Sequence, residues 1–553
     1  MAGTQIRGGL AAMAAISTAA AVHAGPGPTP LYVDAAAPAG GNGSSWSQAF
    51  RDLQDALALA KIDPNPAKQY DIRVAQGVYT PDRGTGNRAM TFLVASGMTL
   101  TGGYAGMNAA NPDLRDPSQF VSVLSGDLNR DDAPGFGNTT DNTYSVVRIE
   151  PIRYPLTGQP EIVIDGLMIT GANDSTGVYG GGGGISISSS NKTVRIANCH
   201  ILNNRSRYGG GVYSSSPVRI EGCVIAGNRA TTSAGGGVAA SEVEIHASRI
   251  VANAASGAGG GVQANTLTAT STEFSDNASS LRGGGISCAS ASLDRCVIAG
   301  NSATSQGGGL WAYSNLSSMS WSLVAHNTSA IGAGIYFESG ALFAANCTIV
   351  ANAASSAGGA LNLSGQALLE NVILAGNTSP IGPAARVMSG TLTLQRSLVP
   401  GGTSGVTPAA SLSYEENNLD VDPMFVDPVG SSASPNDWRD KNYRLRLSSR
   451  GIDAALTYLA MPPVGADLDG RPWPIDITDA PNTGIGPVAT LDIGAYERTC
   501  TADANLSGGV TIDDLFFYFN DWFTGAPGAD INDQHGVTID DLFFFLNAWF
   551  RGC

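Results

Sequence analysis

Residues 196–228 read IANCHILNNRSRYGGGVYSSSPVRIEGCVIAGN, and this stretch contains two marks that recur along the chain. One is a glycine triplet followed by an aliphatic residue, and the other is an apolar residue three positions before an asparagine. A fixed period of this length is typical of a repeat architecture, in which each unit buries its apolar side chains against its neighbours. The recurring asparagines, 24 to 26 residues apart, are Asn204, Asn228, Asn253, Asn277, Asn301, Asn327, Asn352 and Asn377.

Between these marks, apolar and polar residues alternate with period two, which is the period of a β-strand. The third, fifth and eighth residues before each asparagine form three inward columns, as Ile201, Cys199 and Ile196 do in the first copy. Stacked coils bury such columns, and crossovers between parallel strands are right-handed in nearly all proteins. The sequence therefore predicts an all-β fold, a right-handed parallel β-helix. The asparagine column predicts a structural ladder at a turn rather than a ligand set.

The net charge and the N-terminal residues indicate the class of partner and the cellular location of the protein. The formal net charge is −16, and a nucleic-acid partner is not expected because phosphate binding needs a basic surface. Residues 1–24 predict a signal peptide: Arg7 precedes a small apolar stretch, and a small-residue cleavage site ends at Ala24. We therefore expect a secreted or cell-surface protein with no transmembrane segment after cleavage.

The seven cysteines are too few for a disulfide scaffold, and their odd number requires a free thiol. Cys199 and Cys223 lie on adjacent coils, near enough for a disulfide in principle. We expect buried thiols, because other members of the same column have no cysteine neighbour. Cys500 and Cys553 bracket the last segment and can staple its ends.

The repeat pattern divides the chain into regions. Residues 25–150 predict an N-terminal cap merging into the first coils, with an amphipathic helix from Trp46 to Ala60 that covers the open end of the core. Residues 151–400 are the β-helix repeats, and residues 401–499, which lose the pattern, form a C-terminal cap. A small α-helical calcium-loop module occupies residues 500–553.

An acidic loop in the N-terminal region has the spacing D-x-N-x-D. Asp127, Asn129, Asp131 and Asp132 place oxygen ligands at alternate positions, which suits calcium. The alternative is a solvated acidic turn.

The C-terminal module contains two copies of a calcium-loop pattern, spaced by 27 residues, and each leads into an apolar helix. Calcium takes side-chain oxygens from positions 1, 3, 5, 9 and 12 of such loops and a backbone carbonyl from position 7. The second copy has Gln534 and His535 where Asp and Gly are usual, so its low ligand charge predicts weak affinity. The alternative is a pair of turns that feed two paired helices. The predicted Ca²⁺ ligands are Asp503, Asn505, Ser507, Gly509, Thr511, Asp514, Asp530, Asn532, Gln534, Gly536, Thr538 and Asp541.

Three sets of motifs resemble known families. The repeats over about 160–380 resemble those of polymorphic outer-membrane, pectate-lyase-like β-helix proteins. LYVDAAAPAGG at 31–41, GDLNRDD at 126–132 and DIGAYE at 492–497 resemble the secreted bacterial β-helix family called choice-of-anchor Q. The C-terminal module resembles a type I dockerin, which implies a cohesin-like partner and an association with polysaccharide-degrading enzymes. It departs from that family at Ile512–Asp513 and Ile539–Asp540, where Ser/Thr-rich recognition pairs are usual.

Two outward faces of the coils are candidate sites. Glu221 and His246 share a column on adjacent coils, and the carboxylates of Glu221 and Glu244 are expected ~8 Å apart, a separation that suits inverting glycoside hydrolysis. Solvated ion pairs along the sheet are the alternative. A second face has aromatic residues that suit sugar rings, although aromatic ladders also stabilise solenoids. Its candidate ligand-binding residues are Trp311, Tyr313, Tyr336 and Glu338, with Trp311 and Tyr336 expected to stack.

Two functions from different classes follow from these features. The first is a β-helix protein that binds polysaccharide or another extracellular macromolecule. The second is a polysaccharide lyase or glycoside hydrolase with a dockerin-like tail. The coils lack the Asn-Thr-Asp, Asp-Asp and Gly-His-Gly patterns of polygalacturonases, which favours the first function.

Overall fold

The repeat folds into coils in which every strand pairs in parallel with the equivalent strand of the next coil. The computed structural model describes residues 27–551 except 64–67, 151–161, 175–176, 178–180, 189–192, 315, 409–410, 416, 431–436, 458–464, 474, 478–479, 488–489, 499, 506–509, 527–528 and 532–535. The predicted signal peptide lies outside these residues. The predicted parallel β-helix with C-terminal helices is confirmed.

Sheet 1, with 22 strands, contains the two strand segments that follow the glycine turn of each coil. In several coils the two segments run on as one strand. Its strands are Thr29–Val33, Tyr70–Ala75, Phe92–Ala95, Met98–Tyr104, Val147–Glu150, Ile162–Asp165, Ile185–Ile187, Val194–Ala197, Val212–Ser214, Val218–Glu221, Val238–Ala240, Glu242–His246, Val262–Thr270, Ile286–Asp294, Leu310–Ala312, Leu316–Ser320, Ile335–Phe337, Ala341–Ala345, Leu361–Glu370, Ala385–Gln395, Val406–Thr407 and Leu412–Tyr414.

Sheets 2 and 3 complete each coil. Sheet 2 has 11 strands: Gly77–Tyr79, Ser122–Ser125, Leu167–Thr170, His200–Leu202, Val224–Ala226, Arg249–Val251, Glu273–Ser275, Val297–Ala299, Leu323–Ala325, Thr348–Val350 and Ile373–Ala375. Sheet 3 follows the asparagine turn and has eight short strands: Asn173–Asp174, Arg205–Ser206, Arg229–Ala230, Ala254–Ala255, Ala278–Ser279, Ser302–Ala303, Thr328–Ile331 and Ala353–Ala357.

The interior contains the three predicted columns. Ile196, Cys199 and Ile201 are wholly buried, and their equivalents in later coils join them in one continuous core. The cysteines of the column, with Cys288, are free and buried, and burial raises the pKa of the Cys296 thiol to about 12. The prediction of buried thiols is therefore confirmed. Cys500 is disulfide-bonded, whereas its predicted partner Cys553 lies outside the described residues.

The asparagine column forms the predicted ladder. Asn253 accepts at Oδ1 from the backbone N–H and the Nδ2 of Asn228, both at 3.0 Å, and makes the same two bonds as donor to Asn277. Its Nδ2 also bonds the carbonyl of Ile225 at 2.8 Å. The glycines opposite this ladder leave no room for a side chain, because a Cβ on Gly261 would lie 2.6 Å from the Gly285 carbonyl oxygen.

A helix covers the N-terminal end of the core, as predicted, but it is shorter than expected. Helix α1 spans Leu53–Ile62 and buries Leu53, Ala56 and Leu57 in the main core. Trp46 belongs to a separate 3-10 turn, Trp46–Gln48, and its Nε1 donates to Asp113 at 3.0 Å. A second short turn, Gly402–Gly405, precedes the last strands of sheet 1.

The segment after the last coils lies against the outer face of sheet 2. It contains two antiparallel pairs, Phe425–Asp427 with Asn442–Leu445 and Gly465–Ala466 with Pro472–Trp473. A second apolar cluster joins it to the later coils, and the rings of Trp321 and Trp473 stack at 5.3 Å within that cluster. We refer to residues 419–498 as the outer cap.

Two helices form the C-terminal module: α2, Ile512–Thr524, and α3, Ile539–Arg551. Neither they nor α1 meets the length and apolarity that a membrane span requires, and no other helix in the described ranges does.

Candidate functional site

The charged face of sheet 1 has the register that the sequence predicts. Glu221 pairs across the sheet with His246, and Arg219 pairs with Glu244. The carboxylate of Glu221 accepts from Arg195 Nε at 2.6 Å and also forms an ion pair with Arg219. This geometry is the ion-pair row that was the alternative to a catalytic pair.

The two arginines decide the protonation of Glu221. Partial burial acts to raise the pKa of Glu221, but Arg195 and Arg219 outweigh it, and the net pKa lies below the usual value for a glutamate. A general acid for glycoside cleavage needs a raised pKa. The surroundings of Glu221 therefore suit an anion that is permanently paired, and they favour the structural reading of this face.

The predicted aromatic residues lie on the outer side of sheet 1, several coils further along. Trp311 stands directly opposite Tyr336, which in turn stands opposite Asn362. The predicted stacking of Trp311 on Tyr336 is wrong. The Trp311 ring instead packs on Tyr313, with 4.8 Å between the ring centroids. The guanidinium of Arg282 covers the Trp311 ring at 4.9 Å.

Tyr336 differs from its expected exposure. Only 6% of it reaches solvent, and its hydroxyl contacts the sulfur of Met388 at 4.0 Å. The sequence placed Tyr336 correctly on an outward position, but neighbouring long side chains cover it. Glu338 is exposed at the edge of this patch.

Three exposed apolar residues that the sequence did not indicate lie on the same outer surface of sheet 1 as the ring pair. Leu316 is 67% exposed, Met388 51% and Phe343 38%. All three lie on the outer surface of sheet 1, where period-two alternation places them. We define the aromatic face as Trp311, Tyr313, Leu316, Phe343 and Met388.

The first calcium-loop copy is described at four of its six predicted ligands, since Ser507 and Gly509 lie outside the described residues. Asp514 is wholly buried at the start of α2. Its Oδ2 accepts from the backbone and side chain of Thr511, and its Oδ1 accepts from the backbone N–H of Asn505. These bonds form a capping box that fixes where α2 begins.

The donor set of this loop fits a cation. Burial acts to raise the pKa of Asp514, but the amides of Asn505 and Thr511 outweigh it, and the net pKa lies below the usual value. The nearly buried carboxyl of Asp503 interacts directly with that of Asp514. Two carboxyl groups in contact need either a shared proton or a bound cation, and the predicted calcium ion would meet this need.

The second loop repeats this arrangement and is also described at four of its six predicted ligands, because Asn532 and Gln534 lie outside the described residues. Asp541 is wholly buried and accepts from the backbone and side chain of Thr538, and Gly536 has a positive φ of 81°. Oδ1 of Asp530 is buried with no hydrogen-bond partner, while its other oxygen pairs with Arg446 of the outer cap at 3.4 Å. An unpartnered buried carboxylate oxygen suits a cation ligand.

Helices α2 and α3 pair with approximate two-fold symmetry. Tyr518 and Phe545 stack at 4.0 Å, Trp522 Nε1 donates to the carbonyl of Thr538, and Trp549 Nε1 donates to that of Thr511. The outer side of each helix exposes an equivalent apolar stripe. These stripes, 27 residues apart, are Ile512, Phe516 and Phe523 on α2, and Ile539, Phe543 and Phe550 on α3.

Comparisons with known proteins give a distant structural likeness. No protein-family model matches the chain, and no curated protein matches it. Among solved structures, a match is described as "Crystal structure of pectate lyase Pel9A", with 12% sequence identity and a TM-score of 0.37, covering 85% of this chain and 96% of that chain. The predicted resemblances to the choice-of-anchor Q and dockerin families therefore stay predictions.

Proposed function

We propose that this chain is an extracellular polysaccharide-binding β-helix protein that contacts the polymer through its aromatic face. The observation on which this rests is the partly exposed ring pair of Trp311 and Tyr313, on a sheet surface that also exposes Leu316, Phe343 and Met388. Large rings held on a rigid sheet present contact area at little entropic cost.

Binding is favoured over cleavage by the state of the charged face. Glu221, one of the two carboxylates offered as a catalytic pair, is held by two arginines. The alternative, a lyase or a glycoside hydrolase acting at Glu221, Glu244 and His246, needs an unpaired acid or base at that position.

The test is retention of the protein on a panel of immobilised polysaccharides, with release of reducing and unsaturated ends scored in parallel. Trp311→Ala with Tyr313→Ala should lower affinity for the bound polymer by roughly 10- to 30-fold, corresponding to about 1.4–2 kcal/mol. Tyr213→Ala is the matched control, because Tyr213 occupies the same outward column four coils earlier. Unchanged retention of the double variant on every polymer that binds the parent would remove the aromatic face as the site.

The proposal extends to the C-terminal module as a calcium-dependent attachment element. Its support is the pair of exposed apolar stripes on α2 and α3, which offer two equivalent surfaces to a cohesin-like protein. Phe516→Ser with Phe543→Ser should abolish capture by a cohesin panel in millimolar calcium. Phe343→Ser, an exposed phenylalanine on the coils, serves as the control. Capture that is indifferent to both calcium and the double substitution would contradict this role.

A further inference from the structure

The loop between the strands Ser122–Ser125 and Val147–Glu150 gathers three carboxylates next to the first regular coils. Asp127, Asp131 and Asp141 each offer an oxygen, and these oxygens all lie within 4.8 Å of one another. Asp131 is exposed and the other two are half-buried. Within the described residues, none of the three forms an ion pair with a lysine or an arginine.

Backbone hydrogen bonds hold these carboxylates in place. Asp127 accepts from the backbone N–H groups of Asp131 at 3.2 Å and Asp132 at 3.1 Å, and Asp141 accepts from that of Asn129 at 2.9 Å. The two ends of the loop meet where the N–H of Thr143 donates to the carbonyl of Gly126 at 2.8 Å. Like charges are thus fixed close together, which is unfavourable unless a cation joins them.

A neighbouring amide supplies an independent observation. Asn142 is wholly buried, and its Nδ2 donates to Asp132 at 2.9 Å, so that its side chain points into the acidic loop. The Oδ1 of the same amide is buried and accepts no hydrogen bond. A buried acceptor with no partner is unfavourable, and a bound cation would supply the missing partner.

We propose that a calcium ion binds in this loop, with Asp127, Asp131 and Asp141 as carboxylate ligands and Asn142 Oδ1 as a neutral oxygen ligand. All four donors are oxygens, the ligand type of hard cations. Calcium binds oxygens at about 2.3–2.6 Å, so ligands on opposite sides stand about 4.6–5.2 Å apart, and the oxygens of the three aspartates lie within 4.8 Å of one another. Magnesium needs a tighter and more regular shell with several waters.

This ligand set differs from the one that the sequence spacing predicts. Asn129 contributes its backbone N–H to Asp141, and the carboxylate of Asp132 is bonded to Asn142. Residues 141 and 142 replace them because the chain returns along the loop, ten residues further on. The site is separate from both the aromatic face and the C-terminal loops.

The ion would fasten the loop to the start of sheet 3. The carbonyl of Thr143 accepts from the N–H of Asn173, the first residue of that sheet, at 2.8 Å. Arg88 joins the carbonyls of Asn142 and Asn173 at 2.6 and 3.0 Å. Binding of calcium should therefore protect residues 126–146 and the adjoining coil edge from local opening.

The experiment uses the full chain with Asp514→Asn and Asp541→Asn, so that the C-terminal loops do not obscure the measurement. Calorimetric titration with calcium should detect one equivalent, and adding Asp127→Asn with Asp141→Asn should weaken its binding at least 10-fold. Asp52→Asn is the matched control, because Asp52 precedes α1 and makes no side-chain capping bond. The proposal is overturned if calcium binding survives the Asp127→Asn and Asp141→Asn substitutions. It is also overturned if the protein that carries only Asp514→Asn and Asp541→Asn takes up no calcium.

Hydrogen exchange keeps the proposal testable if the loop variant does not fold. In the protein that carries only Asp514→Asn and Asp541→Asn, calcium should slow hydrogen exchange within residues 126–146. Exchange in the coils from residue 200 onward should be unchanged. Magnesium at the same concentration should not reproduce the protection. Exchange in the loop that is indifferent to calcium counts against the site, whatever the outcome for polysaccharide binding or attachment.

Discussion

Individual residues at the coil corners adopt a backbone conformation that side chains rarely take. In each regular coil two such corners flank the strand in sheet 2, and many of these corner residues are not glycine. Ala247 and Ala252, for example, have φ values of 46° and 54°. A left-handed residue costs about 1–2 kcal/mol when it has a Cβ, so these corners store strain that the stacked coils hold in place.

Replacing such a corner alanine with glycine should stabilise the coil. Ala252→Gly removes the conformational cost of a left-handed residue with a Cβ, which is about 1–2 kcal/mol. Glycine loses more chain entropy on folding than alanine, which costs about 0.5–1 kcal/mol. The free energy of unfolding should therefore rise by about 0.5–1 kcal/mol. The measurement is the urea midpoint. Ala254→Gly, in the neighbouring strand Ala254–Ala255, is the control and should destabilise by a similar amount. Equal destabilisation by both changes would contradict the strain argument.

The asparagine ladder makes a position-dependent prediction. Asn253→Ala removes a buried amide and leaves the N–H and Nδ2 of Asn228 without their acceptor, so we expect a loss of about 3 kcal/mol or more. Asn377→Ala, at the partly exposed end of the ladder, removes the acceptor for Asn352 but breaks no asparagine pair on its other side. It should cost about half as much. Denaturant unfolding measures both, and equal losses would mean that the ladder is not cooperative.

At the scale of elements, the coils follow closely from the sequence because inward residues obey one rule in every repeat. The position of the outer cap against sheet 2 does not follow from the repeat pattern, although the outward residues of sheet 2 indicate it. Outward positions of sheet 2 change from charged in early coils, as at Arg249 and Glu273, to apolar in later ones, as at Leu323 and Ile373. Long-range packing of this kind has no local period, so repeat analysis does not detect it.

Helices α2 and α3 begin directly after Thr511 and Thr538, which the sequence predicts as calcium ligands, so the predicted metal should act on helix content. Chelation of calcium should reduce far-ultraviolet circular dichroism from the module, because the touching carboxyl groups of Asp503 and Asp514 at the start of α2 then lose the proposed cation between them. Asp514→Asn should abolish the calcium response of α2 more completely than Asp541→Asn abolishes that of α3, since the first loop has the more usual ligand set. Asp513→Asn, exposed on the same helix, is the control. An unchanged spectrum up to millimolar calcium would identify the loops as structural turns.

At the scale of the whole molecule, the outer cap ties the later coils together. Arg439 forms an ion pair with Asp276 at a coil corner, and Asn371 bonds both the carbonyl and the N–H of Leu456. The candidate sites were predicted less completely than the fold. Tyr336 is covered and Asp141 joins the acidic loop only because distant segments meet there, which spacing within one motif cannot reveal.

The outer cap also contains buried carboxyl groups, and these make its stability depend on pH. Asp492 is 1% exposed and accepts from the backbone N–H groups of Asp453 at 2.8 Å and Arg498 at 2.7 Å. Burial raises the pKa of Asp492 to about 7 and that of Asp453 to about 6. Burial, together with the charge of Asp492, also raises the pKa of Glu497. In the folded cap these groups hold protons that the unfolded chain releases near pH 4.

A carboxyl group whose pKa is raised by folding stabilises the protein fully below its unfolded pKa, and this contribution is lost as the pH rises through the folded value. The cap should therefore unfold at a lower temperature at pH 8 than at pH 5, with most of the change between about pH 4 and 7 and a magnitude of the order of 3 kcal/mol. Asp492→Asn should flatten this dependence, because the amide oxygen still accepts a backbone hydrogen bond and carries no charge at any pH. Asp422→Asn, exposed in the same cap, should leave it unchanged. Thermal unfolding followed through the stacked Trp321 and Trp473 measures the effect where the cap meets the coils. A parent cap that is equally stable at pH 5 and pH 8 would show that its buried carboxyl groups ionise without cost.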